Sequence, residues 1–302
     1  MSGTTGVEDA YSAIEESCRL LDIPCSHDKV RPFLTEYGYA LTEGMFFTTW
    51  TGGGHAGELN YALLLPSAGA DPYARALSSG FIAETDHPIG GLLPDMQARC
   101  SVSGYGVDCG VTDGFKEIYS FFRPDDMPGL SKLADIPSMP RSLAENASFL
   151  ARHGVDGNVV GLTAINYQHR TVNVYFGGLR LEQESILSML RGIGMPEPSK
   201  PMLELMQKAF AIYPTFSWDS PKINRICFAV IAQDPIALPT QIKPEVEQFV
   251  RSAPYAYEGN RVLVYGITFA PGEEYYTLQS YYQINAPTRM LLLAFDANKV
   301  KI

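Results

Sequence analysis

Five times along this 302-residue chain, a helix-like stretch gives way to two neighbouring runs in which apolar side chains alternate with polar or phenolic ones. The pairs fall at 43–51 and 56–66, 100–109 and 113–123, 157–167 and 170–177, 210–217 and 223–232, and 261–269 and 273–283. A two-residue period belongs to a β-strand, and adjacent runs joined by short turns pair as antiparallel hairpins. The pattern continues from end to end without a low-complexity linker, which predicts one domain over 1–302 built from internally similar units.

Sorting each run by parity shows what its two faces meet. Val172, Val174 and Phe176 oppose Asn173 and Tyr175, and Ile226, Phe228 and Val230 oppose Arg225 and Cys227. In the last run Tyr276, Leu278, Tyr282 and Ile284 oppose Tyr275, Thr277, Gln279, Tyr281 and Gln283, a face too polar for a dry core. The intervening segments 8–22 and 142–152 carry apolar residues at helical spacing, Ala10, Ile14 and Cys18 in one and Leu143, Ala147 and Leu150 in the other. Helices of that kind need an apolar surface to cover. The fold class predicted is therefore α+β: repeated ααββ units forming a ten-stranded antiparallel β-barrel, with helices outside and a solvent-filled, polar lumen within. More than about eight strands leaves an interior that side chains do not fill.

Bulk properties narrow the function. A net charge of −10 and a pI near 5.0 argue against a nucleic-acid partner, since phosphate-binding surfaces carry an excess of Lys and Arg. Cys18, Cys25, Cys100, Cys109 and Cys227 show neither CxxC nor zinc-like spacing, which fits a reducing compartment and buried thiols. Glu8, Asp9, Glu15 and Glu16 near the start are incompatible with a secretory segment, and no apolar run reaches the length of a membrane span. The expectation is a cytoplasmic protein without a membrane partner.

Parity assigns to the lumen Phe47, Thr49, Asn60, Glu117, Tyr119, Phe121, Asn173, Tyr175, Tyr213, Thr215, Ser217, Arg225, Thr277 and Tyr281. Phenol and phenyl faces can stack on a planar ligand or hold a cation, and a guanidinium fork suits phosphate. The alternative for any one tyrosine is ordinary strand packing. HExxH, GxSxG, Walker and GxGxxG patterns are missing; Gly52-Gly53-Gly54 reads as a hairpin turn and Asp125-Asp126 as part of a Pro-rich turn. His27, His55, His87 and His153 fall in loops or helix ends and are expected to be solvated, whereas His169 at a strand turn is either solvated or at the chamber mouth.

An ordered set of segments then carries a resemblance: EDAYSAIEES from Glu8, DPYARAL from Asp71, DHPIGGLL from Asp86, VTDGFKEIYSFF from Val111, IPSMP from Ile136, VNVYF from Val172, YPTFSWD from Tyr213, KINRICFAVI from Lys222, APYAYEG from Ala253 and EEYYTLQSYYQI from Glu273. Together they resemble the soluble aromatic prenyltransferases of the ABBA type (CloQ/NphB-like), whose fold is the PT barrel. The resemblance implies a monomeric enzyme of secondary metabolism such as antibiotic biosynthesis. Its two partners would be a geranyl or dimethylallyl diphosphate and a phenolic or naphthoquinone-like acceptor, and loss of diphosphate would leave an allylic cation that the acceptor attacks.

Carried over by position, and joined with the parity reading, Arg225, Asn60, Tyr119, Asn173, Tyr213 and Thr277 would bind diphosphate and prenyl chain. Phe47, Thr49, Phe121, Tyr175 and Tyr281 would hold the acceptor, with Tyr119, Tyr175, Tyr213, Glu117 and His169 as catalytic candidates. Asn60 stands where magnesium-dependent members carry an Asp, so no metal cofactor is expected; Glu117, His169 and Thr277 stand where members place lysines. A diphosphate bears about three charges, and leaving it beside one Arg and a Glu would cost several kcal/mol. A one-residue bulge that turned Lys116 or Arg170 inward would restore the balance. The competing function is a barrel of the same ancestry that has lost diphosphate binding and binds, cyclises or isomerises an aromatic metabolite, with Glu117 or His169 as acid/base.

Overall fold

A computed structural model describes residues 6–66, 71–155, 160–179, 181–232, 238–239, 242–285 and 288. The first unit consists of α1 (Val7–Leu20), α2 (His27–Tyr37), β1 (Gly44–Trp50) and β2 (Leu59–Leu65), and the second of α3 (Pro72–Ser78), α4 (Ile89–Arg99), β3 (Val102–Gly110) and β4 (Gly114–Phe122). Then follow α5 (Leu130–Ala134), α6 (Arg141–Arg152), β5 (Val160–Asn166) and β6 (Thr171–Gly177), and α7 (Gln183–Gly192), α8 (Lys200–Met206), β7 (Ala211–Ser217) and β8 (Arg225–Ala232). The last unit contributes α9 (Pro244–Ser252), β9 (Leu263–Ala270) and β10 (Glu273–Ile284). All strands pair antiparallel with their sequence neighbours, and β1 pairs with β10 to close the barrel. This is the predicted architecture, and the predicted helices at 8–22 and 142–152 are α1 and α6. Among the described residues no helix is long and apolar enough to cross a membrane.

Apolar strand faces point outward, beneath the helices, as the parity requires. Val172, Val174, Phe176, Ile226, Phe228 and Val230 are fully buried there. Each such side chain contributes about 1.5–3 kcal/mol of burial. Helix α1 turns Ala10, Ile14 and Cys18 into the same core. Local chemistry fixes where helices begin: the Asp71 carboxylate accepts from the Tyr73 and Ala74 amides at 3.1 and 2.9 Å and so caps α3.

Strand β1 departs from the expected facing. Phe47 is fully buried on the outside, with its ring 6.4 Å from Phe249 of α9 and 6.1 Å from Tyr282. The Thr49 hydroxyl donates to the Glu58 carbonyl at 2.8 Å, and Phe46, Thr48 and Trp50 take the lumen face instead. In Met45-Phe46-Phe47-Thr48-Thr49 each aromatic and each hydroxyl is doubled, so residue identity does not reveal parity; register against Tyr61 and Asn60 decides it.

Two irregularities re-aim side chains. Opposite Phe46 stands Tyr281 and opposite Met45 stands Gln283, which leaves Tyr282 as an extra residue in β10. Beyond it the faces exchange, and Ile284 joins an inner cluster with Ala229, Ile231 and Val264 instead of the outer face. Likewise Asp108 opposes Glu117 while Cys109 opposes Phe115, so Lys116 is an unopposed bulge residue between Phe115, which packs outward on Phe33 and Tyr37 of α2, and the lumen-facing Glu117.

Candidate active site

Because the barrel is closed and antiparallel, its five hairpin turns gather at one end and the helical connections at the other. The lumen-facing rows change character along this axis. At the turn end a small cavity of about 60 Å³ is bounded by Asn60, Asp108, Lys116, Glu117, Asn173 and Arg225, among others. At the opposite end a cavity of about 540 Å³ is walled by Phe46, Leu64, Phe121, Leu162, Val264 and Tyr281, again among others. Tyr119, Tyr175, Tyr213, Thr277 and Gln279 border both and form a collar between them. Polar grip, aromatic waist and apolar room therefore follow one another along one passage.

Arg225 opens β8 and enters the polar end. Its Nε donates to the Thr215 hydroxyl at 3.1 Å, and that hydroxyl donates to Asn173 Oδ1 at 2.6 Å. Thr215 thus stands behind the guanidinium as a positioning contact. Burial opposes the Arg225 charge, but the nearby Tyr275, Glu117 and Tyr213 raise its pKa overall. Ser217 is buried against Asn224 and bounds neither cavity.

Lys116 reaches the same end through the bulge. Its Nζ lies 2.6 Å from Glu58 and 3.0 Å from Asp113, with only 3% of its side chain exposed. Burial would lower the ammonium pKa, yet the hydrogen bond to Glu58 and the Asp113 charge hold it above the usual lysine value. Glu58 in return is held below the carboxylate range: burial would raise it, and its contacts with Lys116 overcome that.

Asp108 and Glu117 face each other across β3 and β4. Burial, reinforced by Glu117, pushes the Asp108 carboxyl well above the usual carboxylate range and so favours its neutral form. Asn60 Nδ2 donates to it at 2.6 Å. Glu117 accepts from Asn166 Nδ2 at 2.7 Å, and Asn166 Oδ1 in turn accepts from the His169 amide at 2.7 Å. His169 therefore sits at the rim of the polar end, exposed, with Arg170 beside it in the left-handed conformation at φ 52°.

The rings of Tyr175 and Tyr213 stack at 4.1 Å and 21° at the collar. Burial pushes the phenols of Tyr119, Tyr175 and Tyr213 well above their ordinary range, so they remain neutral hydrogen-bond donors. Behind the collar, burial raises the Cys227 thiol to about 11. Gly266 leaves room there: a Cβ at that position would lie 2.0 Å from Thr277 Oγ1 and 2.9 Å from Cys227 Sγ.

The structure thus gathers Asn60, Glu117, Tyr119, Asn173, Tyr175, Tyr213, Arg225 and Thr277 around the polar end and collar, and Phe121 and Tyr281 around the larger cavity. Phe47 and Thr49, displaced by the parity of β1, do not bound either cavity. Sequence reasoning missed Phe46, Trp50, His55, Asp108 and Asn166. His55 was expected to be solvated; the Gly-rich turn folds it inward, where Gly53 adopts φ 69° and a Cβ at Gly52 would come within 2.8 Å of Tyr275.

Known proteins share this sequence and this barrel. The profile of the aromatic prenyltransferase Orf2 family matches residues 5–292. A 5,10-dihydrophenazine-1-carboxylate 9-dimethylallyltransferase from Streptomyces anulatus is 41% identical over 298 residues, 97% of this chain and 99% of that protein. A flaviolin linalyltransferase from Streptomyces virginiae is 40% identical, covering 97% of both chains, and a furaquinocin biosynthesis prenyltransferase from Streptomyces sp. (strain KO-3988) is 39% identical, covering 94% of this chain and 92% of its own. The crystal structure of 6-dimethylallyltryptophan synthase from Micromonospora olivasterospora covers 93% of this chain and 99% of its own, with a TM-score of 0.58 at 10% identity, a likeness of fold. With a family match over nearly its whole length, this chain is an enzyme of the aromatic prenyltransferase Orf2 family.

Proposed function

We propose that the enzyme moves a dimethylallyl or geranyl group from its diphosphate to a fused-ring aromatic of the phenol, naphthoquinone or phenazine kind, and does so without magnesium. The observation that carries this reading is the axial order of the lumen, from Arg225 and Lys116 through the tyrosine collar to the 540 Å³ apolar cavity. The three relatives, named for a dihydrophenazine carboxylate, for flaviolin and for furaquinocin biosynthesis, support the acceptor class.

In this reading the diphosphate lies against Arg225, which Thr215 and Asn173 hold in place. Neutral phenols donate to its oxygens as the carbon–oxygen bond breaks. The allylic cation passes beside Tyr119 and the outer faces of the stacked Tyr175–Tyr213 pair, each cation–π contact contributing about 0.5–2 kcal/mol. The acceptor, seated in the apolar cavity, attacks the cation through ring carbon or oxygen and then loses a proton. Water, the competing nucleophile, is kept out by the apolar walls. Cys227 stays a neutral thiol behind Gly266 and does not compete as a thiolate.

Metal independence rests on the donor set. A magnesium ion favours ionised carboxylates in octahedral geometry. Here Asn60 offers an amide, and burial disfavours the charged form of Asp108, its hydrogen-bond partner. Cationic side chains would carry the neutralisation instead. Incubation with dimethylallyl and geranyl diphosphates and a panel of dihydroxynaphthalenes and phenazine carboxylates, with and without EDTA, tests the proposal. Prenylated product formed at equal rates in EDTA supports it. Ligand binding without diphosphate release would favour instead the barrel that has lost donor chemistry.

A further inference from the structure

At the rim of the polar end two imidazoles meet. The His55 and His169 rings lie 5.0 Å apart at 77°, one from the β1–β2 turn and one from the β5–β6 turn. His55 bounds the polar cavity with 18% of its side chain exposed; its Nδ1 lies 3.3 Å from Glu58, and its ring packs 5.6 Å from Trp50. The His169 turn is tied down through Asn166 to Glu117. His55 is fixed within its own hairpin by Glu58 and Trp50, and the His169 turn is fixed to β4 through Asn166 and Glu117.

We infer that His55 and His169 together form a protonation-dependent clamp on the donor diphosphate, adding imidazolium charge to that of Arg225. The inference rests on the donor-binding reading above. Lys116 is already neutralised by Glu58 and Asp113, which leaves Arg225, among the described residues bounding the polar cavity, as the main positive charge facing about three negative ones. The groups around the imidazoles are Glu58 and Trp50 from the first hairpin, Asp113, Lys116 and Glu117 from the second, Arg170 in the His169 turn, Arg225 from β8 and Tyr275 from β10. Although His169 is largely exposed, partial desolvation of its ring at the rim lowers its pKa, and His55, Lys116 and Arg225 lower it further against the pull of Glu58. A bound diphosphate reverses the sign of that field and favours the imidazolium.

The linkage has a direction. Binding that favours the imidazolium takes up protons, so donor affinity falls as pH rises. The terminal phosphate loses its own last proton with a pKa near ~6, gaining charge as pH rises. A site of fixed Arg and Lys charge would therefore bind as tightly or more tightly at alkaline pH. The two schemes predict opposite slopes.

The experiment is calorimetric titration of the full-length enzyme with a non-hydrolysable dimethylallyl thiolodiphosphate between pH 6 and 8.5. The wild type is expected to weaken by about tenfold or more across this range, with net proton uptake in buffers of different ionisation enthalpy. The His55→Gln/His169→Gln double variant is expected to bind weakly with no such fall. His169→Lys is expected to bind tightly with a flatter profile, a rescue that a purely structural role would not give. A wild-type affinity that is level or rises with pH, or a double variant that keeps the wild-type fall, overturns the clamp. No binding at any pH overturns the donor-binding reading itself, and the clamp with it.

Discussion

Tyr175 and Tyr213, on the adjacent strands β6 and β7, stack with ring centroids 4.1 Å apart at the boundary between the polar and apolar parts of the lumen. Stacked in this way, each ring covers one face of the other, and the remaining outer faces and the hydroxyl edges meet whatever crosses the collar. Replacing Tyr213 by Ala removes a ring face and a donor together, and the expected loss of chemistry is about 10- to 100-fold. Tyr213→Phe keeps the face and is expected to retain most of the rate. Single-turnover product formation distinguishes the two; equal losses in both variants would mean that the hydroxyl, rather than the ring face, matters.

Arg225 is held by Thr215, which is itself held by Asn173. Charge-assisted hydrogen bonds contribute about 1.5–3 kcal/mol. Arg225→Ala is expected to weaken donor binding by roughly 10- to 150-fold while leaving acceptor binding nearly unchanged. Thr215→Val is expected to give a smaller loss of the same kind, since it frees the guanidinium without removing it. Isothermal titration with each substrate separately checks both.

The Lys116–Glu58 pair makes stability depend on pH at both edges. Glu58 titrates below its unfolded value of about 4.3, so its contribution is present above that value and is lost as pH falls through the lowered folded value. Lys116 titrates above its unfolded value, so its share is present below about 10.4 and is lost as pH rises through the raised folded value. Lys116→Met is expected to cost about 1.5–3 kcal/mol near neutral pH and to flatten the acid limb of a melting-temperature profile. An unchanged acid limb would place the pH dependence elsewhere.

Asn60→Asp tests the metal assignment from the other side. A second carboxyl beside Asp108 adds negative charge where the diphosphate is expected, so donor affinity without metal is expected to fall several-fold. Added magnesium is expected to restore it, because an ionised carboxylate and phosphate oxygens suit that ion. Donor titrations with EDTA or magnesium in both proteins give the comparison, and the wild type is expected to be insensitive.

Parity made the barrel legible wherever a strand's two faces differ in kind. Val172, Val174 and Phe176 against Asn173 and Tyr175 admit one orientation, and the structure adopts it. Where residues come in like pairs, as in Phe46-Phe47 and Thr48-Thr49, sequence leaves two answers, and only hydrogen-bond register chooses between them. Bulges are harder still. Lys116 enters the polar end because Asp108 pairs with Glu117 and Cys109 with Phe115, an offset of one residue set by two strands together. His55 escaped notice for a related reason: its place depends on a turn whose glycines pack against Tyr275 of a strand more than two hundred residues away. The site residues readable in advance were those on regular strands, and the ones missed came mostly from turns, bulges and the ambiguous strand β1.

A crystal structure with dimethylallyl thiolodiphosphate and a dihydroxynaphthalene bound together tests most directly whether the lumen's polarity orders the reaction. The expected density places the diphosphate at the hairpin-turn end within hydrogen-bond distance of Arg225, the allyl group at the Tyr175–Tyr213 collar and the aromatic ring in the cavity walled by Phe121 and Tyr281. A diphosphate at the helical end, or one bound outside the barrel with Arg225 untouched, would contradict the account.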